Sequence, residues 1–214
     1  MSSGRSFYNQ LNFFGRDFDV FAPDLKGFGD NPDMEYPYSL DDYIFEMKEY
    51  MYKTGIVKPH VIAHSFGGRM LIKSSAKDGG LFDKLVFTGS AGLKPKRTLK
   101  KTLKKACFNV LKRFVVRDKL SAFYSKEYLS LSPVMKESFK LIINEYLDEY
   151  LGDIKNDTLI INGAKDLETP PYTARRMAEK IKNSRLIFID GAGHFCFLDK
   201  PNKFNVEVKE FLLS

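Results

Sequence analysis

A serine, an aspartate and a histidine, the three residue types that together perform nucleophilic acyl transfer, occur in this order along the chain as Ser65, Asp166 and His194. Each of them follows a short apolar run that is typical of a buried strand. A histidine can take the proton of a serine hydroxyl, and a carboxylate can fix the tautomer of that histidine and stabilise its charged form. Their types and their positions after predicted strands therefore make Ser65 a candidate nucleophile, His194 a candidate general base and Asp166 a candidate acid.

The strongest local pattern is the segment A-H-S-F-G-G at residues 63–68, which contains Ser65. It stands directly after an apolar strand and directly before a helix, which is typical of a nucleophile elbow, a strained turn that exposes its serine. We expect small residues two places on either side of Ser65, because larger side chains would clash in so tight a turn. The N-terminus of the following helix would favour developing negative charge. Taken alone, the same segment could be an ordinary strand-to-helix turn.

Strand and helix patterns alternate along the chain. Strands are predicted at Phe18–Pro23, Val57–Ala63, Lys84–Phe87, Thr158–Asn162 and Arg185–Ile189, and helices at 40–55 (Ser39 as N-cap, Gly55 as C-cap), 66–77, 171–182 and 202–213. Short apolar strands that alternate with helices predict an α/β fold with a mainly parallel, doubly wound sheet covered on both faces. Such sheets place their sites beyond the carboxyl ends of the strands, where all three candidate residues fall.

The alternation breaks once, between Gly92 and Asp157, where the apolar spacing is helical throughout. We therefore divide the chain into a core of residues 1–92 and 157–214 and a helical insertion of residues 93–156. The insertion is expected to form a cap at the carboxyl edge of the sheet. Leu103, Val110 and Phe139 are predicted to line or roof the pocket above Ser65.

Composition bounds the class of protein. With 214 residues, of which 43% are hydrophobic, the chain can bury one sizeable core. It contains no apolar run of about 18 residues and its N-terminus does not resemble a signal peptide, so no transmembrane segment is expected. Cys107 and Cys196 do not make a disulfide framework, which favours free thiols and a cytoplasmic location.

The formal net charge of +7 is concentrated in one segment. Between Lys94 and Lys119 there are eleven lysines and arginines and a single acidic residue, Asp118. The simplest interpretation is a cap helix with solvated lysines. A second interpretation is that the basic segment recognises an acidic substrate or makes weak contact with an anionic membrane surface. Nucleic acid is not expected as a partner, and the oligomeric state is left open.

These segments resemble a known family. A-H-S-F-G-G, I-I-N-G-A-K-D-L-E-T-P and D-G-A-G-H-F resemble the elbow, acid loop and histidine loop of the α/β-hydrolase superfamily, and V-F-A-P-D-L-K-G-F-G-D resembles the strand and loop before its first sheet helix. The resemblance covers nearly the whole chain and implies a Ser65–His194–Asp166 triad, an acyl-enzyme and an oxyanion hole containing the backbone N–H of Phe66. It implies no metal and no organic cofactor, and it gives His64 a structural role beneath the site.

The N-terminus departs from the family pattern. The family has further strands before the point at which this sequence starts, and the last of them ends in a His-Gly motif whose next residue donates a second N–H to the oxyanion hole. Met1 to Phe7 resembles the loop just after that motif. We therefore expect those strands and one oxyanion donor to be absent, through a truncated gene model or an unusual repair of the sheet, and the isolated chain to be poorly stable.

Three functions follow from the sequence. A serine nucleophile suits hydrolysis of small carboxylic esters or related acyl substrates, which is the first hypothesis. A C–C bond hydrolase or an aminopeptidase on the same framework is the alternative among enzymes. A weakly active or inactive hydrolase fold that serves as a binding protein is the third, because one oxyanion donor is expected to be missing. Substrate identity does not follow from the sequence.

Overall fold

The computed structural model describes residues 3–96 and 131–214. Its helices are α1 (Tyr8–Phe14), α2 (Leu40–Thr54), α3 (Phe66–Lys77), α4 (Pro133–Ile143), α5 (Pro171–Lys180), α6 (Cys196–Asp199) and α7 (Pro201–Leu213). Its strands are β1 (Val61–His64), β2 (Leu85–Thr88), β3 (Thr158–Gly163) and β4 (Ser184–Ile189). Two short 3₁₀ helices occupy Gly4–Phe7 and Tyr150–Asp153.

The four strands form one parallel sheet in the order β1-β2-β3-β4. Neighbouring residues of a strand face opposite sides of a sheet. Accordingly, Leu85 and Phe87 of β2 belong to one apolar core together with residues of α2, α3 and α5, while Val86 belongs to a second core together with residues of α1, α6 and α7. Helices thus cover both faces, and the predicted α/β class with a doubly wound parallel sheet is confirmed.

Helix α2 has the ends that its sequence predicts. Ser39 accepts a hydrogen bond from the backbone N–H of Asp42, whose carboxylate in turn accepts from the N–H of Ser39, a reciprocal cap. Gly55 ends the helix with φ of 69°, a left-handed conformation that glycine adopts without steric cost. Asp41 and Asp42 lie in the first turn, where they complement the helix dipole.

The strand predicted at Phe18–Pro23 is wrong. Residues 19–25 belong to no strand, and Val20 and Phe21 are 39% and 52% exposed. The segment is fastened by Asp24 instead, whose carboxylate accepts the backbone N–H groups of Gly4 and Asp30. A strand needs a neighbour to satisfy its backbone, and within residues 3–96 and 131–214 no strand pairs with the outer edge of β1.

Candidate active site

Ser65 occupies the turn between β1 and α3. Its backbone has φ of 48° and ψ of −106°, a conformation that non-glycine residues rarely adopt and that the surrounding structure must enforce. The carbonyl of Ser65 accepts the N–H groups of Gly68 and Ala91, both at 3.1 Å, and its N–H donates to the carbonyl of Thr88 at 3.2 Å. These bonds tie the strained turn to the end of the neighbouring strand β2.

The tight position in this turn is Gly68 and not Gly67. A Cβ atom on Gly68 would lie 2.4 Å from Ser90 Oγ, which no relaxed structure tolerates, whereas one on Gly67 would meet the Cβ of Ala63 at 3.7 Å, an ordinary contact. The clash was predicted two residues from Ser65. In the structure it lies three residues after Ser65, where Gly68 of α3 approaches Ser90 in the segment after β2.

Asp166 follows β3 and is 1% exposed. Its Oδ1 accepts the backbone N–H groups of Glu168 and Thr169, each at 2.9 Å, and its Oδ2 accepts the hydroxyl of Thr169 at 2.7 Å. Burial by itself would raise the pKa of Asp166, but hydrogen bonds from His194 and Thr169 outweigh it and hold that pKa below its ordinary value. The carboxylate of Asp166 therefore stabilises its own turn, and it stays ionised although it is buried.

His194 follows β4 and is 9% exposed. Its Nδ1 lies 3.0 Å from Asp166 Oδ2. Since an ionised carboxylate only accepts hydrogen bonds, this contact assigns a proton to Nδ1, so that the lone pair of a neutral ring is on Nε2. Such a tautomer is the one that a general base requires.

The structure brings Asp166 and His194 into direct contact, whereas Ser65 makes no hydrogen bond to the imidazole within the described part of the chain. The two are nevertheless neighbours, because Gly89, directly after β2, packs against the ring of His194 and the next residues hold Ser65 through Ala91 N–H. Hydrogen bonds between a nucleophile and its base are often long in an unliganded site and shorten when substrate binds. In this structure Nε2 instead faces the exposed carboxylate of Glu168, whose Oε2 lies 3.4 Å away.

His64 packs beneath this pair. Its Nε2 lies 3.1 Å from the carbonyl oxygen of His194, and the two rings are 4.6 Å apart. Burial lowers the pKa of His64 to about 4, and the nearby His194 adds to that effect. A neutral, partly buried ring fits the structural role expected for it. His60 lies apart from the site and is partly buried beside Asp83 and Lys84.

The backbone N–H of Phe66 occupies the first position of α3, where an amide has no intrahelical acceptor. Its ring stacks on Phe28 at 5.3 Å and meets Tyr43 edge-on at 5.1 Å. The aromatic contacts fix the start of the helix next to Ser65. An amide in this place is free to donate to an oxygen that becomes negatively charged in a reaction.

A cavity of about 280 Å³ opens onto Ser65. Most of its wall is apolar, and the residues around it are Phe28, Tyr43, Phe66, Arg69, Ala91, Met135, Ser138, Phe139, Ile142 and Ile143. Five of these belong to α4, which therefore roofs the cavity. Phe139 lies where the sequence placed it, while Leu103 and Val110, the other two residues predicted for this roof, fall outside the described residues.

Sequence reasoning missed the residues that support the site. Thr169 lies within the motif I-I-N-G-A-K-D-L-E-T-P but was not predicted to act, yet its hydroxyl and N–H both bind Asp166. Asn162 links the loops, since its side chain accepts the N–H of Gly89 and donates to the carbonyl of Thr169. The D-x-x-T spacing, typical of a carboxylate-stabilised turn, was the available signal for Thr169.

The described residues contain no cluster of three or more histidine, cysteine, aspartate or glutamate side chains that could hold a metal ion. They also contain no helix long and apolar enough to cross a membrane. Cys196 is a free, buried thiol, and burial raises its pKa to about 11.

A doubly wound parallel sheet with a serine, an aspartate and a histidine after three of its strands is typical of α/β enzymes. Comparison with known proteins identifies the family. The model of the alpha/beta hydrolase family matches residues 2–207, and this chain belongs to that family. The putative carbamate hydrolase RutD of Pseudomonas savastanoi is 22% identical over 98% of this chain and 89% of its own. The AB hydrolase superfamily protein YisY of Bacillus subtilis is 24% identical over 92% of this chain and 82% of its own.

Solved structures agree with this assignment. A meta-cleavage product hydrolase from Pseudomonas fluorescens IP01 superposes with a TM-score of 0.75 at 25% identity, over 99% of this chain and 86% of the other. The esterase EaEST from Exiguobacterium antarcticum reaches a TM-score of 0.77 at 22% identity, over 100% of this chain and 88% of its own. The similarity establishes a hydrolase fold and supports a hydrolase enzyme.

Proposed function

We propose that this protein is a serine hydrolase of small carboxylic esters or related acyl substrates. The observation that carries the proposal is the buried Asp166–His194 pair, 3.0 Å apart, beside a strained serine at the mouth of an apolar cavity. A serine in a rarely adopted backbone conformation, next to an oriented imidazole, is costly to maintain without a function.

The proposed reaction runs in two halves. His194 Nε2 takes the proton of Ser65 as its Oγ attacks the substrate carbonyl carbon, and the backbone N–H of Phe66 donates to the oxyanion. The imidazolium, stabilised by Asp166, then protonates the departing alcohol, which leaves an acyl-Ser65 enzyme. His194 next takes a proton from water, the resulting hydroxide attacks the acyl carbon, and the carboxylic acid leaves as Ser65 regains its proton.

The cavity supports the choice of substrate class. Its apolar wall would desolvate the acyl part of an ester, and its volume suits a small acyl group. Residues 131–156, which belong to the proposed cap insertion of residues 93–156, contribute its roof through α4. We keep the cytoplasm as the proposed location, because Cys196 is a buried free thiol. Contact of the basic segment with anionic surfaces stays a prediction, because most of that segment lies outside the described residues.

C–C bond hydrolysis is the second candidate, favoured by the similarity at 25% identity to a meta-cleavage product hydrolase. The two activities would share Ser65 and His194 and differ in the leaving group, which is a carbanion equivalent in one and an alcohol in the other. Comparing p-nitrophenyl acetate and butanoate with a vinylogous 1,5-diketone substrate measures which bond is cleaved.

Reaction with a fluorophosphonate probe tests the shared chemistry. We expect a covalent adduct on Ser65, identified by peptide mass spectrometry, and no adduct in Ser65→Ala. Asp166→Asn should fold but lose about 10³- to 10⁴-fold in kcat, since the amide would favour the wrong histidine tautomer. A wild-type chain that neither reacts with the probe nor cleaves either substrate would instead support the binding-protein hypothesis.

A further inference from the structure

Arg69 joins the helix that follows the nucleophile to the roof of the cavity. It lies on α3 one turn after Ser65, and its Nη1 donates to the carbonyl oxygens of Ile142 and Glu145, both at 2.9 Å. These carbonyls lie at and just beyond the C-terminal end of α4. A cation at this end also interacts favourably with the helix dipole.

The guanidinium has no carboxylate within ion-pair distance among residues 3–96 and 131–214. Burial lowers its pKa, an effect that the more distant Glu145 partly offsets. A half-buried charge whose direct partners are two carbonyls is a costly arrangement for surface packing alone. The arrangement fits a role for Arg69 in holding α3 and the end of α4 in a fixed relative position.

Lys73, one further turn along α3, supports the same region. Its side chain is 6% exposed and binds the carboxylates of Glu145 and Asp41. Burial alone would lower the pKa of Lys73, but the hydrogen bonds to Asp41 and Glu145 outweigh it and raise that pKa. The lysine therefore stays charged and connects α2 and α3 to the segment that follows α4.

The two ends of α4 are fixed by different contacts. At its start and middle, Met135 Sδ lies 3.8 Å from Tyr43 Oη, and Ser138 Oγ accepts the backbone N–H of Tyr38 at 2.8 Å. The C-terminal half of α4, which ends in the turn that Arg69 binds, supplies Phe139, Ile142 and Ile143 to the cavity wall. Release of the last turn would shift this apolar part of the wall above Ser65.

We propose that Arg69 is a positioning residue that determines specificity: by holding the last turn of α4 over Ser65, it sets the size of the acyl group that the cavity accepts. This rests on the proposed esterase function. Arg69 takes no part in bond making, and its effect reaches the substrate through Phe139, Ile142 and Ile143. With the turn held, the cavity closes around a short acyl group; with the turn released, longer groups fit and short ones lose their contacts.

The test compares wild type with Arg69→Met, Arg69→Lys and a matched control, Arg176→Met. Arg176 also donates to a backbone carbonyl, that of Lys94, and pairs with Asp148, but it does not line the cavity. Steady-state kcat and KM are measured on p-nitrophenyl acetate, butanoate, octanoate and dodecanoate, together with the melting temperature of each variant.

For Arg69→Met we expect kcat/KM on the best short ester to fall about tenfold, mainly through KM, because positioning of a substrate within an ångström carries factors of this size. The octanoate-to-butanoate ratio should rise. Arg69→Lys should restore part of the wild-type ratio, and Arg176→Met should keep it even if its melting temperature falls. An unchanged ratio in Arg69→Met, with lowered stability alone, would overturn the proposal.

Hydrogen exchange separates failure of this proposal from failure of the esterase function. If wild type cleaves none of the esters, the function is wrong, and amide exchange in residues 133–145 still tests the positioning. Faster exchange there in Arg69→Met than in Arg176→Met supports it, and equal protection overturns it. Should Arg69→Met fail to fold, Arg69→Lys carries the test, since an ammonium lacks the planar donor geometry of a guanidinium and should shift both readouts in the same direction.

Discussion

Glu168 Oε2 lies 3.4 Å from His194 Nε2, the ring nitrogen that must face Ser65 in the proposed mechanism. When His194 is neutral this nitrogen carries a lone pair, and the carboxylate gains nothing from it. When His194 is protonated, the same carboxylate pairs with the charge. Glu168 therefore offers a proton on Nε2 an acceptor other than the leaving group of the substrate.

We expect Glu168→Gln to raise kcat on p-nitrophenyl butanoate by about two- to fivefold, the range for an exposed ion pair, because a proton on His194 Nε2 then loses a competing acceptor. Steady-state kinetics at a single pH measure this change. Glu179→Gln, which alters an exposed carboxylate on α5, is the control and should leave kcat unchanged. A kcat that stays the same or falls in Glu168→Gln would contradict this interpretation of the contact.

Thr169 should matter through Asp166. Its hydroxyl donates to Asp166 Oδ2 at 2.7 Å and lies 3.3 Å from His194 Nδ1. Thr169→Val keeps the shape and removes a hydrogen bond to a charged group, so we expect kcat to fall about ten- to a hundredfold. Thr169→Ser, which keeps the hydroxyl, should recover most of the rate. Similar losses in both variants would mean that the methyl group, and not the hydroxyl, supports the site.

Gly163 is the point at which the acid loop and the histidine loop touch. A Cβ atom there would lie 2.0 Å from the carbonyl oxygen of Gly193, a backbone atom that cannot move aside cheaply. Gly163→Ala should therefore lower the free energy of unfolding by about 1–3 kcal/mol and reduce kcat, because it pushes His194 away from Asp166. Gly152→Ala is the matched control for denaturant unfolding and ester kinetics, because a Cβ atom added there would have no neighbouring atom within 4 Å.

His64 makes stability depend on pH. Its pKa falls from 6.5 to about 4 on folding, so between these values the unfolded chain binds more protons and stability rises with pH. Stability should thus be fully present above pH 6.5 and be lost as pH falls toward 4, by an amount on the order of 3 kcal/mol. Urea unfolding from pH 4 to 8 measures it. His64→Gln should flatten this part of the curve, and an unchanged slope would point to other groups.

Much of the fold was predictable from local signals. The caps at Ser39 and Gly55 define α2, and strands β2, β3 and β4 begin and end within one residue of their predicted bounds. The strand before Ser65 begins at Val61, four residues after its prediction. Helix α1 was missed, since it depends on contacts distant in sequence: Gln10 donates to the carbonyl of Phe197 and the side chain of Asn205.

The site shows the same division. Its three chemical groups were identifiable because their types, order and flanking strands are local properties of the sequence. Arg69 was not, because its importance lies in two carbonyls more than 70 positions away. Nor could the sequence show that Glu168 faces His194, since this depends on how the loops after β3 and β4 pack together.

The sheet keeps its strands in the order in which they are synthesised. Each strand can therefore pair with one that has already left the ribosome, and the β1–β2 unit with α3 forms by closing residues 65–84 alone. The pairing of β2 with β3 must instead close residues 89–157, the longest loop and so the one with the greatest loss of chain entropy. Ser65 thus belongs to the half of the sheet with the smaller entropic cost of closure, while Asp166 and His194 join it only once the larger loop has closed.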